Sequence, residues 1–87
     1  MFIKRGHYNK ERTTDRSNPI LNNPEGKSFQ VTYMSAFIWE ALDGETSINE
    51  ISQKIEETSK LDKPELSNIV ESIVHQLRDV GLVGRIG

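Results

Sequence analysis

His7 and His75 are the only imidazoles in the chain and the first candidates for acid–base or metal chemistry. Neither has a neighbour at metal-ligand spacing, and there is no cysteine to complete a site. His75 falls at the polar edge of a helical segment and reads as a surface residue. Serines and threonines are plentiful, but they lie in caps and turns, not in a nucleophile elbow. Glu56-Glu57 is a solvated helix end and not a catalytic carboxylate pair. The six glycines are isolated, so no phosphate-cradling loop occurs. A chain of 87 residues is also small for a closed active site. The residues therefore point to a binding module without catalytic groups, metal or cofactor.

Composition narrows the setting. The chain is one domain with a modest core, 34% hydrophobic. Without cysteine there is no disulfide framework. No apolar run approaches the roughly 20 residues a bilayer span needs. The start, MFIKRGHYNK, lacks the apolar region of a secretory signal. A soluble, cytoplasmic protein is the expectation. Charge is uneven. Residues 1–30 carry Lys4, Arg5, Lys10, Arg12, Arg16 and Lys27 against Glu11, Asp15 and Glu25, a net +3, whereas residues 31–87 are net −5. A basic arm on an acidic body raises nucleic acid as a partner. Here the bases are diluted by acids and small polar residues, and a solvated arm is the better reading.

Elements follow from periodicity and punctuation. Residues 4–18 have almost no apolar content; one short edge strand lies either at Phe2 to Lys4 or around Tyr8 to Thr13. Pro19-Ile20-Leu21-Asn22 is an apolar patch, followed by the turn signal Asn23-Pro24-Glu25-Gly26. From Lys27 to Val31 the pattern alternates, with Phe29 and Val31 on one face and Ser28 and Gln30 on the other. The two stretches read as a hairpin. Thr32 caps a helix whose apolar residues are Met34, Phe37, Ile38, Ala41 and Leu42, with Trp39 off the centre of the stripe. Asp43-Gly44 stops it, Gly44 taking the left-handed C′ position. Thr46 or Ser47 caps a second helix, with Glu50 in capping-box spacing from Ser47 and Ile48, Ile51 and Ile55 facing inward. Asp62, Pro64 and Glu65 start a third, which runs to about Val80 and ends at Gly81. Leu82-Val83 continues as an extended tail.

The expected fold is α+β and winged-helix-like: a small antiparallel three-stranded sheet followed by three helices. That shape suggests DNA, with the third helix as the reader. Glu65, Glu71 and Asp79 stand there against Arg78 alone, and a helix so charged repels phosphate. The same helix carries seven apolar residues from Leu66 to Val80, fanned over more than a third of its circumference. It is either a central core helix, or its Ile69–Ile73 flank faces a groove. A hairpin with a free edge beside that groove could accept a peptide as an added strand.

Three stretches, ILNNPEGKSFQVT, AFIWEALDGETSINEI and IVESIVHQLRDVGLV, together resemble the PqqD-like family over about residues 19–83. These are peptide-recognition elements used in making ribosomally produced, post-translationally modified peptides. The Ile38-Trp39 pair, the Asp43-Gly44 break, the capped Ile48/Ile51 helix and the closing Leu77, Gly81-Leu82-Val83 fall at the family's spacing. Where the family often has Asn, this chain has Thr32, which can cap as well. Where it often has an acid, this chain has Ile69, which makes that flank more apolar.

Composition sets apart a polar arm over 1–18, with room for one edge strand, and the resemblance implies a peptide-binding domain over 19–87. The domain would bind the leader of a precursor peptide as an extra strand on the hairpin. It would then present that precursor to a radical-SAM enzyme, a leader peptidase or a cyclase. Carried over by position, the edge is Lys27, Ser28, Phe29, Gln30, Val31 and Thr32. The helix wall is Leu66, Ile69, Ile73 and Gln76, which assigns the Ile69 flank, and not the Val74 flank, to the cleft. The alternative is a winged-helix DNA-binding regulator.

Overall fold

The computed structural model describes residues 1–12, 18–59 and 63–86. The elements run β1 (Phe2–Lys4), β2 (His7–Tyr8), β3 (Ile20–Asn22), β4 (Ser28–Gln30), α1 (Tyr33–Ala41), α2 (Ile48–Thr58), α3 (Lys63–Asp79) and β5 (Val83–Arg85). This is the winged-helix-like α+β arrangement. The three-stranded antiparallel sheet has the order β2-β3-β4, and the three helices follow it.

Two features differ from the expectation. The candidate at Phe2–Lys4 is β1; of the candidate around Tyr8 to Thr13 only Tyr8 is strand, in β2 (His7–Tyr8), residues 10–12 form a turn, and Thr13 lies outside the described residues. The closing stretch is not a free tail. Its β5 pairs antiparallel with β1, Phe2 opposite Arg85 and Lys4 opposite Val83, as a second sheet. Strands of two or three residues are too short for alternation to show in sequence. β1 is wedged on its other side against the end of α1, where the Lys4 N–H donates to the Leu42 carbonyl at 2.8 Å.

Local signals set most boundaries. Ser35 N–H donates to Thr32 Oγ1 at 3.0 Å, capping α1. The buried face of α1 is Ile38, Trp39 and Leu42, while Met34 is 37% and Phe37 48% exposed. The stripe is thus rotated toward Trp39, whose indole N–H donates to the Leu82 carbonyl at 2.9 Å. Both flanks of α1 are apolar, and the one that receives β1 and β5 becomes the core. α1 ends at Ala41 with Leu42 as its cap, so Gly44 (φ 86°) lies beyond the C′ position assigned to it. The stop is instead closed by the Asp43 carboxylate, which accepts from Glu45 N–H at 2.9 Å and Thr46 N–H at 2.8 Å.

Ser47, not Thr46, caps α2, with the full capping box to Glu50. Asp62 lies outside the described residues. On α3, Leu66, Val70 and Val74 are fully buried and Leu77 nearly so. Its end is a Schellman motif: Leu82 N–H reaches the Leu77 carbonyl at 2.9 Å and Gly81 N–H the Arg78 carbonyl at 3.1 Å. Gly81 holds the left-handed φ of 81° that this motif requires.

The Asp43 turn gives the fold an acid limb. The Glu45 and Thr46 N–H groups stabilise the carboxylate and hold its pKa below the usual aspartate range. Stability from a depressed carboxylate is complete above its unfolded pKa of about 4 and is lost as pH falls through the lower folded value. Asp43→Asn keeps an acceptor for both N–H groups but cannot titrate. Urea midpoints measured between about pH 2.5 and 6 should fall less steeply for Asp43→Asn than for wild type. Parallel curves would exclude Asp43 as a contributor.

Candidate functional site

β4 pairs only with β3 and forms one edge of the sheet among the described residues. The register fixes what that edge offers. Val31 N–H donates to the Pro19 carbonyl and Asn23 N–H to the Lys27 carbonyl, each at 2.9 Å. Antiparallel hydrogen-bonded pairs alternate, so Phe29 opposite Leu21 is the bonded pair between them. The N–H and C=O groups of Ser28 and Gln30 consequently point away from β3. Both residues are exposed, while the Phe29 side chain packs against the core.

The predicted edge, Lys27 to Thr32, thus divides by role. Lys27 spends its backbone groups closing the turn, and Val31 bonds to β3. Thr32 caps α1, and its carbonyl accepts from Ala36 N–H at 2.9 Å. Ser28 and Gln30 supply the outward backbone groups.

Beside this edge, a groove of about 440 Å³ separates the hairpin turn from the C-terminal end of α3. Lys27 and Phe29 line one wall, Arg78 and Val80 the other, with Asn23 and Gly81 at the base of the lining. Two cations, Lys27 and Arg78, share the groove with Glu25 and Asp79.

The four predicted wall residues separate. Leu66 is fully buried in the core and has no surface to offer. Ile69 is 38% exposed, Ile73 half-buried and Gln76 exposed. None of these three lines the groove itself. At roughly 100° per residue they form one ridge with Val80, which ends at the groove. The Val74 flank is core. Arg78 and Val80 lie outside the edge and wall that the resemblance implies. Their available signal in sequence is their place at the end of α3, next to the Gly81 stop. Asn23 carries only a turn signal in sequence.

His75 lies away from the groove, its Nε2 3.7 Å from the Glu71 carboxylate and its ring edge-on to Phe2. Among the described residues no group of His, Cys, Asp and Glu side chains could hold a metal ion. No described helix is long and apolar enough to cross a membrane.

Two solved structures are similar to this chain. A lasso peptide synthetase B1 complexed with the leader peptide aligns with a TM-score of 0.79 at 17% identity, covering 97% of this chain and 98% of the other. TbiB1 in complex with the TbiA(beta) leader peptide aligns with a TM-score of 0.71 at 17% identity, covering 86% and 88%. At that identity the likeness establishes the fold. No curated protein sequence matches the chain. The family model for coenzyme PQQ synthesis protein D (PqqD) matches residues 19–83. That span takes in the hairpin, the groove and all three helices, and the chain belongs to the PqqD family.

Proposed function

We propose that this protein is a non-catalytic peptide-binding module. It recognises the leader segment of a ribosomally made precursor by strand addition to β4 and presents that precursor to a modifying enzyme. The observation that carries the reading is the open β4 edge, with Ser28 and Gln30 turned outward beside the groove against α3. Both similar solved structures are leader-peptide complexes on the same fold. The partner is a radical-SAM enzyme, a leader peptidase or a cyclase, acting in the cytoplasm where precursors are translated. No structural observation favours duplex DNA, and the exposed side of α3 keeps its excess of acids.

The physics suits the role. Bonds from an edge strand are blind to sequence, while pockets for alternate side chains select. A leader is disordered before binding, so the ordering entropy limits its affinity. NMR titration with a synthetic leader of any small precursor found encoded beside the gene tests the proposal. Shifts should concentrate at Lys27 to Thr32 and along Ile69, Ile73 and Gln76. An unperturbed spectrum, or tight binding of duplex DNA instead, overturns it.

The cations steer acidic leaders. Reversing the charge at Lys27 or Arg12 should weaken binding about 2- to 5-fold each at low salt and flatten the salt dependence. Arg16, which lies outside the described residues, is expected to behave alike. Unchanged affinity and an unchanged salt slope together would remove steering from the proposal.

A further inference from the structure

Asn23 is a buried polar residue, 5% exposed, in a turn whose other members are exposed. Its carboxamide oxygen and nitrogen are both hydrogen-bonded. Oδ1 accepts from Glu25 N–H at 3.1 Å and from Lys27 N–H at 2.9 Å. Those bonds shape the hairpin turn, and an aspartate could make them equally well. The third bond has no local purpose. Nδ2 donates to the Val80 carbonyl at 2.9 Å, across 57 residues of chain.

That carbonyl lies just past the end of α3, where carbonyls lack helical partners. The Schellman bonds satisfy Leu77 and Arg78; Asn23 satisfies Val80. Gly81 makes room for it, since a Cβ there would stand 3.3 Å from Asn23 Nδ2. The link therefore joins the two walls of the groove, Lys27 and Phe29 on one side and Arg78 and Val80 on the other.

We propose that Asn23 is a positioning residue that fixes the separation between the β4 edge and α3, and thereby the peptides the groove admits. This rests on the peptide-binding reading above. An added strand must lie about 4.8 Å from β4 to bond Ser28 and Gln30 while its side chains meet α3. Both contacts form together only if hairpin and helix are already set at the right distance. A hairpin free to rock must be ordered by the ligand, and affinity falls by that cost.

Asn23→Asp separates the two roles. It keeps both acceptors in the turn and replaces the donor to Val80 by a carboxylate oxygen, which cannot bond that carbonyl. With a fluorescein-labelled synthetic leader of a precursor encoded beside the gene, at about 0.5 M salt where the added charge is screened, binding should weaken about 10-fold, the equivalent of one hydrogen bond.

A second readout needs no peptide. Spin labels on cysteines introduced at Glu25 and Ser72 should give a narrow distance distribution in the parent and a broader one with Asn23→Asp. An unchanged distribution overturns the lock, and so does undiminished leader binding by Asn23→Asp. If the parent itself fails to bind the leader, the recognition reading falls, and the label distances alone decide whether Asn23 holds the hairpin.

Discussion

Trp39→Ala should cost the fold about 3–5 kcal/mol. Trp39 is 3% exposed, and its indole N–H donates to the Leu82 carbonyl at 2.9 Å and the Arg5 carbonyl at 3.3 Å. One side chain of α1 thus fastens the chain just past β1 to the chain just before β5. The Lys4 ammonium lies 5.3 Å from the ring, held there by its 2.9 Å ion pair with Glu40. Volume dominates the expected loss. The Leu82 carbonyl keeps Arg5 N–H as a partner at 2.8 Å, so removing the indole does not orphan it. Truncating a buried tryptophan costs about 3–5 kcal/mol. Stability of about 0.05–0.15 kcal/mol per residue amounts to roughly 4–13 kcal/mol for a chain of this size. The cavity alone therefore removes from about a quarter of the margin to all of it. Trp39→Phe keeps most of the volume and loses the donor, and should cost about 1–2 kcal/mol. Urea unfolding followed by far-UV circular dichroism measures both, since the chain has no second tryptophan to report by fluorescence. If Trp39→Ala stays within about 1 kcal/mol of wild type, the junction is held by something other than the indole.

Which parts of this were legible in sequence follows from range. Thr32, the Ser47–Glu50 box and Gly81 act within three or four residues, and each stands where its local pattern placed it. The alternation of Ser28, Phe29 and Gln30 was legible for the same reason. Trp39 was misplaced because Met34 and Phe37 are equally apolar, and what decides between the flanks arrives from Arg5 and Leu82. β1 and β5 pair the two ends of the chain over three residues each, too few for a period and too far apart for a turn signal. The site was legible as a strand and a helix but not as atoms. Six edge residues reduce to two outward backbone pairs only once the register opposite β3 is known. Leu66 and Ile69 look alike in a list of apolar residues; only packing puts one in the core and the other on the surface.

That register yields the sharpest test of strand addition. Gln30→Pro should reduce leader binding about 100-fold while the domain stays folded. The N–H it removes points away from β3, so the hairpin ladder is intact, and proline is tolerated on an edge in that orientation. Residue Phe29 before it is already extended, as a proline requires of its predecessor. The fixed φ costs the hairpin about 1 kcal/mol. The incoming strand loses one backbone bond, about 1 kcal/mol, and meets the pyrrolidine ring where it must approach, which accounts for the rest. Gln30→Ala keeps the N–H and should bind nearly as wild type, separating backbone from side-chain recognition. Phe29→Pro reverses the outcome: its N–H faces Leu21 in the ladder and its ring packs on the core, so the fold fails first. Fluorescence anisotropy of a labelled leader, with circular dichroism as the fold control, reads all three variants. A Gln30→Pro domain that is folded and binds at wild-type affinity would show that the leader does not extend the sheet at β4. Recognition would then rest on side chains in the Phe29–Val80 groove.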